Sequence, residues 1–137
     1  MIRLVADTNA IIASLISDSS SRRILINQNF EFSVPDFSKA EIAKYKQAIC
    51  KKAEITPEDF DILLSVLFEK INIIPEEEYD HKMDEAKRLI GEIDIKDVPF
   101  IACALAIKTE GIWTEDKGFL KQSKIKIFRT KDLLAML

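Results

Sequence analysis

Four acidic residues of this chain stand at the ends of predicted strands and helices. Asp7 and Asp116 follow short apolar runs that predict strands, whereas Asp97 and Glu41 lie at or in the first turn of predicted helices. In a parallel α/β sheet, the carboxyl ends of the strands and the amino ends of the following helices share one edge, where ligands bind. We therefore expect the four carboxylates to converge at one edge of a sheet, with Asp94 as a fifth candidate.

Carboxylates grouped at such an edge would form a site for a metal cation. When they lie within about 6 Å of one another they repel and raise one another's pKa, which favours a cation between them. Oxygen ligands select a hard divalent cation such as Mg²⁺ or Mn²⁺ over zinc or copper. A cation held in this way can activate a water molecule for attack on a phosphate ester. The pattern thus predicts metal-dependent phosphate chemistry.

Each acidic residue taken alone also has a structural explanation. Asp7 and Asp97 stand where an N-cap residue accepts hydrogen bonds from the first turn of a helix. Ser38 and Glu41 have the Ser-x-x-Glu spacing of a capping box. Asp116 suits the start of a turn. Capping and turn formation account for these residues one at a time, but they do not account for a common position at one edge.

The apolar segment Val98–Ile107 predicts the helix around which the chain is organised. It contains no charged residue and is apolar on every face, as in a helix buried between other elements. Pro99 fits only the first turn of this helix, which puts Asp97 at or beside its N-cap. Gly111 predicts the end of the helix, and the run Ile112–Thr114 predicts a buried strand.

Predicted strands and helices alternate along the rest of the chain. The predicted strands are Ile2–Ala6, Phe30–Val34, Ile71–Ile74, Ile112–Thr114 and Ile125–Phe128. Besides Val98–Ile107, the predicted helices are one that begins at Ala10 and those over Ser21–Asn29, Ser38–Ala53, Thr56–Lys70, Glu76–Glu92 and Lys131–Leu137. Each parallel crossover needs a helix, so the alternation predicts an α/β fold with a parallel sheet of about five strands, covered on both faces.

Length and composition limit the class of protein. The 137 residues, 47% hydrophobic and 31% charged, suit a single folded domain over residues 1–137. The net charge of −3 gives no general attraction to nucleic acid, so a polyanion would need a local basic patch or bound cations. No glycine-rich phosphate-binding motif occurs, which disfavours dinucleotide and P-loop nucleotide binding.

The cysteines and the apolar runs indicate the compartment. Cys50 and Cys103 lie in predicted helices without a CxxC pattern or a nearby histidine ligand, so they predict buried, reduced thiols and a cytoplasmic protein. The run Met1–Ala6 is too short for the core of a signal peptide, and no apolar run approaches the length of a membrane span. We therefore expect no membrane partner.

Four segments of the chain together resemble the PIN-domain family, to which the VapC-type toxins of prokaryotic toxin–antitoxin pairs belong. The segments are Asp7–Asn9, Ser38–Glu41, Asp94–Ala106 and Trp113–Phe119, and they span nearly the whole chain in the order and spacing of the family. The Asp-Thr-Asn triplet alone is a weak signal. The acidic helix start followed by a Thr-x-Asp-Lys-x-Phe turn is more specific.

The resemblance implies a fold, an activity and partners. The fold would be a three-layer α/β/α sandwich, and the activity an endoribonuclease that hydrolyses RNA with Mg²⁺ or Mn²⁺. The protein would form a homodimer and, as a VapC-type toxin, would bind an antitoxin protein. By motif, the catalytic residues would be Asp7, Glu41, Asp97 and Asp116. Asp7 and Asp97 would bind the metal directly, and Asp116 would bind it directly or through water.

The same resemblance assigns supporting residues. Asn9 and Thr114 would support the site by hydrogen bonds. Asp94, the fifth candidate by its position in the sequence, is a further supporting residue. Glu115 departs from the small polar residue, often Asn, that is common at its position in the family. This departure affects the expected geometry of the loop but removes none of the acids.

Basic residues concentrate in the sequence after Asp116. They are Lys117, Lys121, Lys124, Lys126, Arg129 and Lys131. Lys117 and Lys121 are our candidates for contacts to RNA, and affinity through them should fall steeply with salt. A solvated charged face explains the run equally well.

Other functions occur on the same class of fold. A receiver domain needs an acid after its third strand, but that strand ends here at Ile74–Pro75. A dehalogenase-type phosphatase needs an aspartate where Asn9 stands. The stronger alternative is a non-catalytic module of the PIN fold that binds RNA or a protein.

Overall fold

Five parallel strands form one sheet in the part of the chain that the structure describes, which is residues 1–16, 20–91 and 95–137 of a computed structural model. The strands are β1 (Ile2–Ala6), β2 (Phe30–Pro35), β3 (Ile71–Ile74), β4 (Gly111–Trp113) and β5 (Ile127–Phe128). Their order across the sheet is β3-β2-β1-β4-β5, and each neighbouring pair is parallel. The predicted α/β fold with a parallel sheet is confirmed.

Helices cover both faces of this sheet. They are α1 (Thr8–Ile16), α2 (Ser20–Leu25), α3 (Ser38–Lys44), α4 (Lys46–Ala53), α5 (Pro57–Phe68), α6 (Glu76–Tyr79), α7 (Met83–Ile90), α8 (Val98–Ala106) and α9 (Thr130–Leu134). Buried side chains of α1 to α5 and α9 form one hydrophobic cluster, and those of α6, α7 and α8 form a second cluster on the opposite face. Three layers result, as the sequence predicted.

The central strand β1 supplies side chains to both clusters. Leu4 and Ala6 belong to the first cluster and Val5 to the second, because successive side chains of a strand point to opposite faces. In the first cluster the ring of Trp113 packs 5.1 Å from that of Phe32, centroid to centroid. β1 is therefore buried on both faces and can hold the residue at its carboxyl end in a fixed position.

The strand order reverses between β1 and β4. The chain moves outward from β1 through β2 to β3 on one side, then returns to β4 on the other side of β1. Ala6 pairs with Trp113, so the residues that follow, Asp7 and Thr114, emerge side by side. In open α/β sheets the crevice at such a reversal is where ligands bind.

The predicted helix over Ser38–Ala53 is broken in the structure. It divides at Tyr45, whose backbone φ of −97° and ψ of 11° interrupt the helix. The backbone N–H of Tyr45 donates to the carbonyl of Ile42, which tightens the last turn of α3, and its own carbonyl accepts from Ile49 to begin α4.

The predicted capping box is wrong. Phe37 is the N-cap of α3, without a side-chain capping hydrogen bond, and Ser38 already lies inside the helix. The hydroxyl of Ser38 instead accepts a hydrogen bond of 3.3 Å from the hydroxyl of Thr8, at the start of α1. This contact joins the amino ends of two helices, and the capping explanation for Glu41 no longer applies.

Other boundaries differ by a few residues. α1 begins at Thr8 rather than Ala10, and α2 ends at Leu25 rather than Asn29. The predicted helix Glu76–Glu92 divides into α6, the 3-10 turn Asp80–Lys82 and α7, whose C-cap is Gly91 with a φ of 81°. Glu92 and Asp94 lie outside the described residues. The last helix begins at Thr130 with Arg129 as its N-cap, and the side chain of Asp132 accepts the Arg129 backbone N–H.

The prediction that Gly111 ends the helix after Asp97 is also wrong. α8 ends at Ala106, and Gly111 is the first residue of β4. A side chain at this position would collide with the backbone carbonyl of Lys126, which is hydrogen-bonded to Ile112. Glycine is needed here because two backbones approach closely at the β4–β5 edge.

The described residues show the state of the two cysteines and the lengths of the apolar helices. Cys50 and Cys103 are buried and unpaired, as predicted. Burial, with the charges of Asp36 and Glu78 adding to it, raises the pKa of Cys103 to about 12. Within residues 1–16, 20–91 and 95–137, no helix is long and apolar enough to cross a membrane.

Candidate functional site

A cavity of about 410 Å³ opens at the edge of the sheet where the strand order reverses. The four predicted catalytic acids, which come from four separate segments, all line it. The complete lining is Asp7, Thr8, Asn9, Glu41, Tyr45, Ile95, Lys96, Asp97, Phe100 and Asp116. Carboxylates up to 109 positions apart in the chain, Asp7 and Asp116, are thus brought into one concave surface.

Asp7 joins β1 to α1 and is the most enclosed of the four. It is 6% exposed. Its backbone carbonyl accepts from the N–H of Ala10 at 3.0 Å, and its backbone N–H donates to Trp113 at 3.0 Å. One carboxylate oxygen accepts a hydrogen bond of 2.8 Å from the hydroxyl of Thr114. The side chain is held from two strands at once, so its position is fixed by the sheet.

The environment of Asp7 penalises its negative charge. Burial raises the pKa of this carboxyl above its usual value, and the charges of Asp116 and Glu41 raise it further. The hydrogen bonds from Thr114 and from the backbone of Asn9 lower the pKa but only partly compensate. Three of the cavity's carboxylates therefore influence one another through space, and a positive charge placed among them would be stabilised.

Thr114 links two of the acids. Its hydroxyl donates to Asp7 and accepts a 2.9 Å hydrogen bond from the backbone N–H of Asp116. The carboxylate of Asp116 in turn accepts from the backbone N–H of Gly118 at 2.9 Å and caps the 3-10 helix Lys117–Lys121. Asp116 therefore begins a turn, as its structural explanation predicted, and also lines the cavity.

Asp97 and Glu41 approach the cavity from the amino ends of helices. Asp97 is at the N-cap of α8, as predicted, yet its side chain makes no capping hydrogen bond. Glu41 is half-buried in the first turn of α3. The partial positive charge at a helix amino end favours a carboxylate there, so both positions suit negatively charged residues.

Several lining residues were not predicted from the sequence. Tyr45 follows Glu41 by four positions, and Phe100 follows Asp97 by three, which puts each pair on one face of a helix or its continuation. That spacing was a signal that could have identified them. Ile95 and Lys96 precede the N-cap of α8, and no local pattern marked them. Lys96 places a cationic residue in the lining of an otherwise acidic cavity.

The remaining predicted residues have different positions. Asn9 is exposed and lines the cavity. Lys117 and Lys121 lie on the 3-10 helix that Asp116 caps, outside the residues that line the cavity. Asp94 falls outside the described residues, so its predicted supporting role stays a prediction.

Glu115, which replaces the small polar residue common at this position in the family, has a structural role. Its carboxylate accepts from the backbone N–H of Thr130 at 2.6 Å and from the Arg129 side chain at 3.3 Å. It thereby fastens the turn after β4 to the start of α9. The loop that carries Asp116 is anchored on its outer side by these contacts.

The donor set fits a hard divalent cation by its chemistry. The ionisable ligands that line the cavity are carboxylates, and neither histidine nor cysteine lines it. Within the described residues, however, no three acidic, His or Cys side chains lie close enough together to hold an ion as they stand. The described carboxylates therefore share a cavity without forming a three-ligand cage, and an ion held by one or two of them would keep water as its other ligands.

Comparison with protein families identifies the class of this chain. The sequence model of the PIN domain family matches residues 5–134, and the chain therefore belongs to the PIN domain family. PIN domains are generally nucleases, and those nucleases usually use divalent metals. A comparison with curated proteins finds no match.

Proposed function

We propose that this protein is an endoribonuclease that hydrolyses RNA with Mg²⁺ or Mn²⁺. The observation that carries the proposal is the meeting of Asp7, Glu41, Asp97 and Asp116 in one cavity at the reversal of strand order. Family membership supports the nuclease class. The enclosed position of Asp7 beside two further carboxylates supports a need for a cation.

Each acid has a proposed role. Asp7 and Asp97 would bind the metal directly, and Asp116 would bind it directly or through water. Glu41 would accept a hydrogen bond from the attacking water and orient it in line with the scissile phosphate. When bound, the ion would polarise the phosphate and its water and balance the charge that develops during attack.

Asn9 and Thr114 have proposed supporting roles. Thr114 holds Asp7 through its hydroxyl and fixes the backbone before Asp116, so it would keep two ligands at a constant separation. Asn9 offers an exposed amide at the mouth of the cavity, and its backbone N–H lowers the pKa of Asp7. Both would act on the reaction through the acids that they position.

The wider assignments are also proposals. We propose a single domain over residues 1–137, a cytoplasmic location and a homodimer. The resemblance to VapC-type proteins supports a toxin role with an antitoxin partner. Lys117 and Lys121 would contact the RNA backbone, because the 3-10 helix that carries them begins beside Asp116.

The second candidate function is a non-catalytic PIN module that binds RNA or a protein. One observation favours it: within the described residues, no three potential ligands already lie at metal-binding distance. A module of this kind could bind Mn²⁺ and be stabilised by it, since a ligand that binds only the folded state raises its stability. It would not cleave RNA.

The test compares Asp7→Asn with the wild-type protein. We expect wild-type protein to cleave single-stranded RNA in Mn²⁺ and to stop when the metal is chelated. Asp7→Asn should reduce cleavage at least about 100-fold, because it removes a direct ligand and a charge from the cavity. The matched control is Asp84→Asn, an exposed aspartate in α7 outside the cavity lining, which should leave cleavage unchanged.

Two measurements make the outcome decisive. Circular dichroism must show that Asp7→Asn is folded. Full cleavage by that folded variant, or full wild-type cleavage without metal, would contradict the proposal. An increase in thermal stability with Mn²⁺ but no cleavage of any RNA would instead favour the non-catalytic module.

A further inference from the structure

An apolar groove of about 310 Å³ adjoins the acidic cavity. One wall is α1 and the other is α4 with the residue before it. The lining is Asn9, Ile12 and Ile16 from the first, and Tyr45, Ala48, Ile49 and Lys52 from the second. Asn9 and Tyr45 also line the acidic cavity, so the groove and the cavity form one continuous surface.

The spacing of the lining residues explains the groove. Asn9, Ile12 and Ile16 are separated by three and four positions, which places them along one face of α1. Tyr45 and Ile49 are four positions apart and begin the corresponding stripe of α4. The apolar faces of α1 and α4 lie opposite each other and do not fill the space between them. This space is the groove, and one end of it meets the acidic cavity.

Tyr45 is unusual among the aromatic residues of the chain. It is 51% exposed, whereas every other Phe, Tyr or Trp is buried or, in the case of Phe37, half-buried. All of these aromatic residues lie in the part of the chain that the structure describes. An exposed aromatic ring beside the acidic cavity offers a surface on which a nucleobase can stack, because each base has an apolar face.

Lys52 supplies the only charge in the groove lining, and that charge is positive. It lies seven residues beyond Tyr45, which is about 10 Å along the axis of a helix. Lys52 makes no ion pair among the described residues. Lys52 is therefore available to a phosphate of an RNA chain that places one of its bases over Tyr45.

We propose that this groove binds an unpaired nucleobase next to the scissile phosphate of single-stranded RNA. The base stacks on Tyr45 and packs against the partly exposed side chain of Ile12, and Lys52 pairs with a neighbouring phosphate. The inference rests on the proposed ribonuclease function and adds to it a subsite for one base of the substrate.

A binding experiment separates stacking from simple apolar contact. Both Tyr45→Phe and Tyr45→Leu are made in the Asp7→Asn background, which leaves the RNA intact. Affinity for a fluorescein-labelled single-stranded RNA of about eight nucleotides is measured by anisotropy in Mn²⁺. Tyr45→Leu should weaken binding about tenfold, whereas Tyr45→Phe keeps the ring and should stay within about twofold.

RNA that lacks one base identifies the contact itself. The oligonucleotide is made with an abasic site at each position in turn. At the position whose base stacks on Tyr45, removal of that base should weaken binding to the protein that retains Tyr45. For the Tyr45→Leu protein, removal of the same base should cause no further loss of affinity. The control is Ile62→Ala, which trims an apolar side chain that is 62% exposed on α5, and it should leave RNA affinity unchanged.

The outcomes distinguish this inference from the function on which it rests. Equal affinity of Tyr45→Leu and the Tyr45 protein, together with cleavage of RNA by the wild type, overturns the nucleobase site and leaves the nuclease. That same result is expected if the groove docks a protein segment. A wild type that cleaves no RNA under any metal condition overturns the proposed function instead. Circular dichroism of each variant confirms that the fold is retained.

Discussion

At the scale of single residues, Thr114 connects the two acidic residues Asp7 and Asp116 by hydrogen bonds. It is 1% exposed, and its hydroxyl both donates to Asp7 and accepts from the backbone of Asp116. A hydroxyl is the smallest side-chain group that does both at once. The separation of the two carboxylates therefore depends on a residue that would not touch a metal or a substrate.

Thr114→Val tests this dependence, because valine keeps the shape and removes the hydroxyl. We expect the Mn²⁺ concentration for half-maximal cleavage to rise about 10–100-fold, the usual cost of losing a group that orients a metal ligand. Stability should fall by about 1–3 kcal/mol, because the buried carboxylate of Asp7 loses a hydrogen bond and the partly buried backbone N–H of Asp116 loses its acceptor. Cleavage is measured against Mn²⁺ concentration, and stability by urea unfolding.

Thr114→Ser is the matched control for this prediction. Serine retains the hydroxyl and should need nearly the same Mn²⁺ concentration as the wild type. If Thr114→Val and Thr114→Ser had the same metal requirement, the hydroxyl would have no part in positioning the acids.

At the scale of elements, the sequence predicted which segments are strands and helices better than it predicted how helices begin and end. α8 was identified because its residues are apolar on every face, a property that only burial explains. The break at Tyr45 and the role of Ser38 were missed. The role of Ser38 depends on a contact between helices distant in sequence, the hydrogen bond from Thr8. The break at Tyr45 is marked by no residue type, such as glycine or proline, that ends helices.

The candidate site divides in the same way. The four acids were predictable because parallel strands bring their carboxyl ends to one edge, so local position in the chain implies proximity in space. Tyr45 and Phe100 lie one helical turn from Glu41 and Asp97, a spacing from which they could have been predicted. Lys96 precedes the N-cap of α8, where no local pattern marks a residue that lines the cavity.

Glu115 provides a prediction about the joint between β4 and α9. Burial by itself would raise the pKa of this carboxyl, but the hydrogen bonds from Thr130 and from Arg129 and the charge of Arg129 outweigh it, so the pKa is lowered from its ordinary value. A lowered pKa in the folded state contributes stability that is present above the ordinary pKa and is lost as pH falls through the lowered one.

Glu115→Gln keeps the acceptor oxygen for Thr130 and removes the charge. We expect it to lower the free energy of unfolding at neutral pH by roughly 0.2–1 kcal/mol, since the side chain is 53% exposed and its ion pair is screened. The difference from the wild type should shrink as the pH falls below the ordinary pKa of a glutamate and vanish below the lowered pKa. Urea unfolding across this pH range measures it.

Glu69→Gln is the control for the charge itself. Glu69 is exposed and makes no ion pair among the described residues. Its substitution should change stability little at any pH. A Glu115→Gln difference that stayed constant from neutral to acid pH would show that the charge is not what holds the joint.

At the scale of the whole molecule, charge and proposed substrate conflict. The chain carries a net charge of −3, and its acids meet where a scissile phosphate would have to bind. Metal ions would reverse the sign of the potential inside the cavity but not over the rest of the surface. Attraction to RNA beyond the cavity therefore has to come from basic residues close to it.

Lys117 and Lys121 are the residues that we expect to supply this attraction. They lie on the 3-10 helix Lys117–Lys121, whose N-cap is Asp116. Each phosphate contact to a single strand contributes about −0.7 to the slope of log affinity against log salt. Changing both lysines to glutamine should thus make the slope shallower by about 1.4, measured in the Asp7→Asn background so that the RNA stays intact.

The control for this prediction changes the net charge by the same amount elsewhere. Lys70→Gln and Lys87→Gln remove two exposed lysines outside the cavity lining, one before β3 and one in α7. If the control pair lowered the salt slope as much as Lys117→Gln with Lys121→Gln, the attraction would be a property of total charge. If only the change of Lys117 and Lys121 made the slope shallower, the RNA backbone would pass beside Asp116. The reason is that a lysine contributes to the slope only when it contacts a phosphate and releases the counterions of that phosphate.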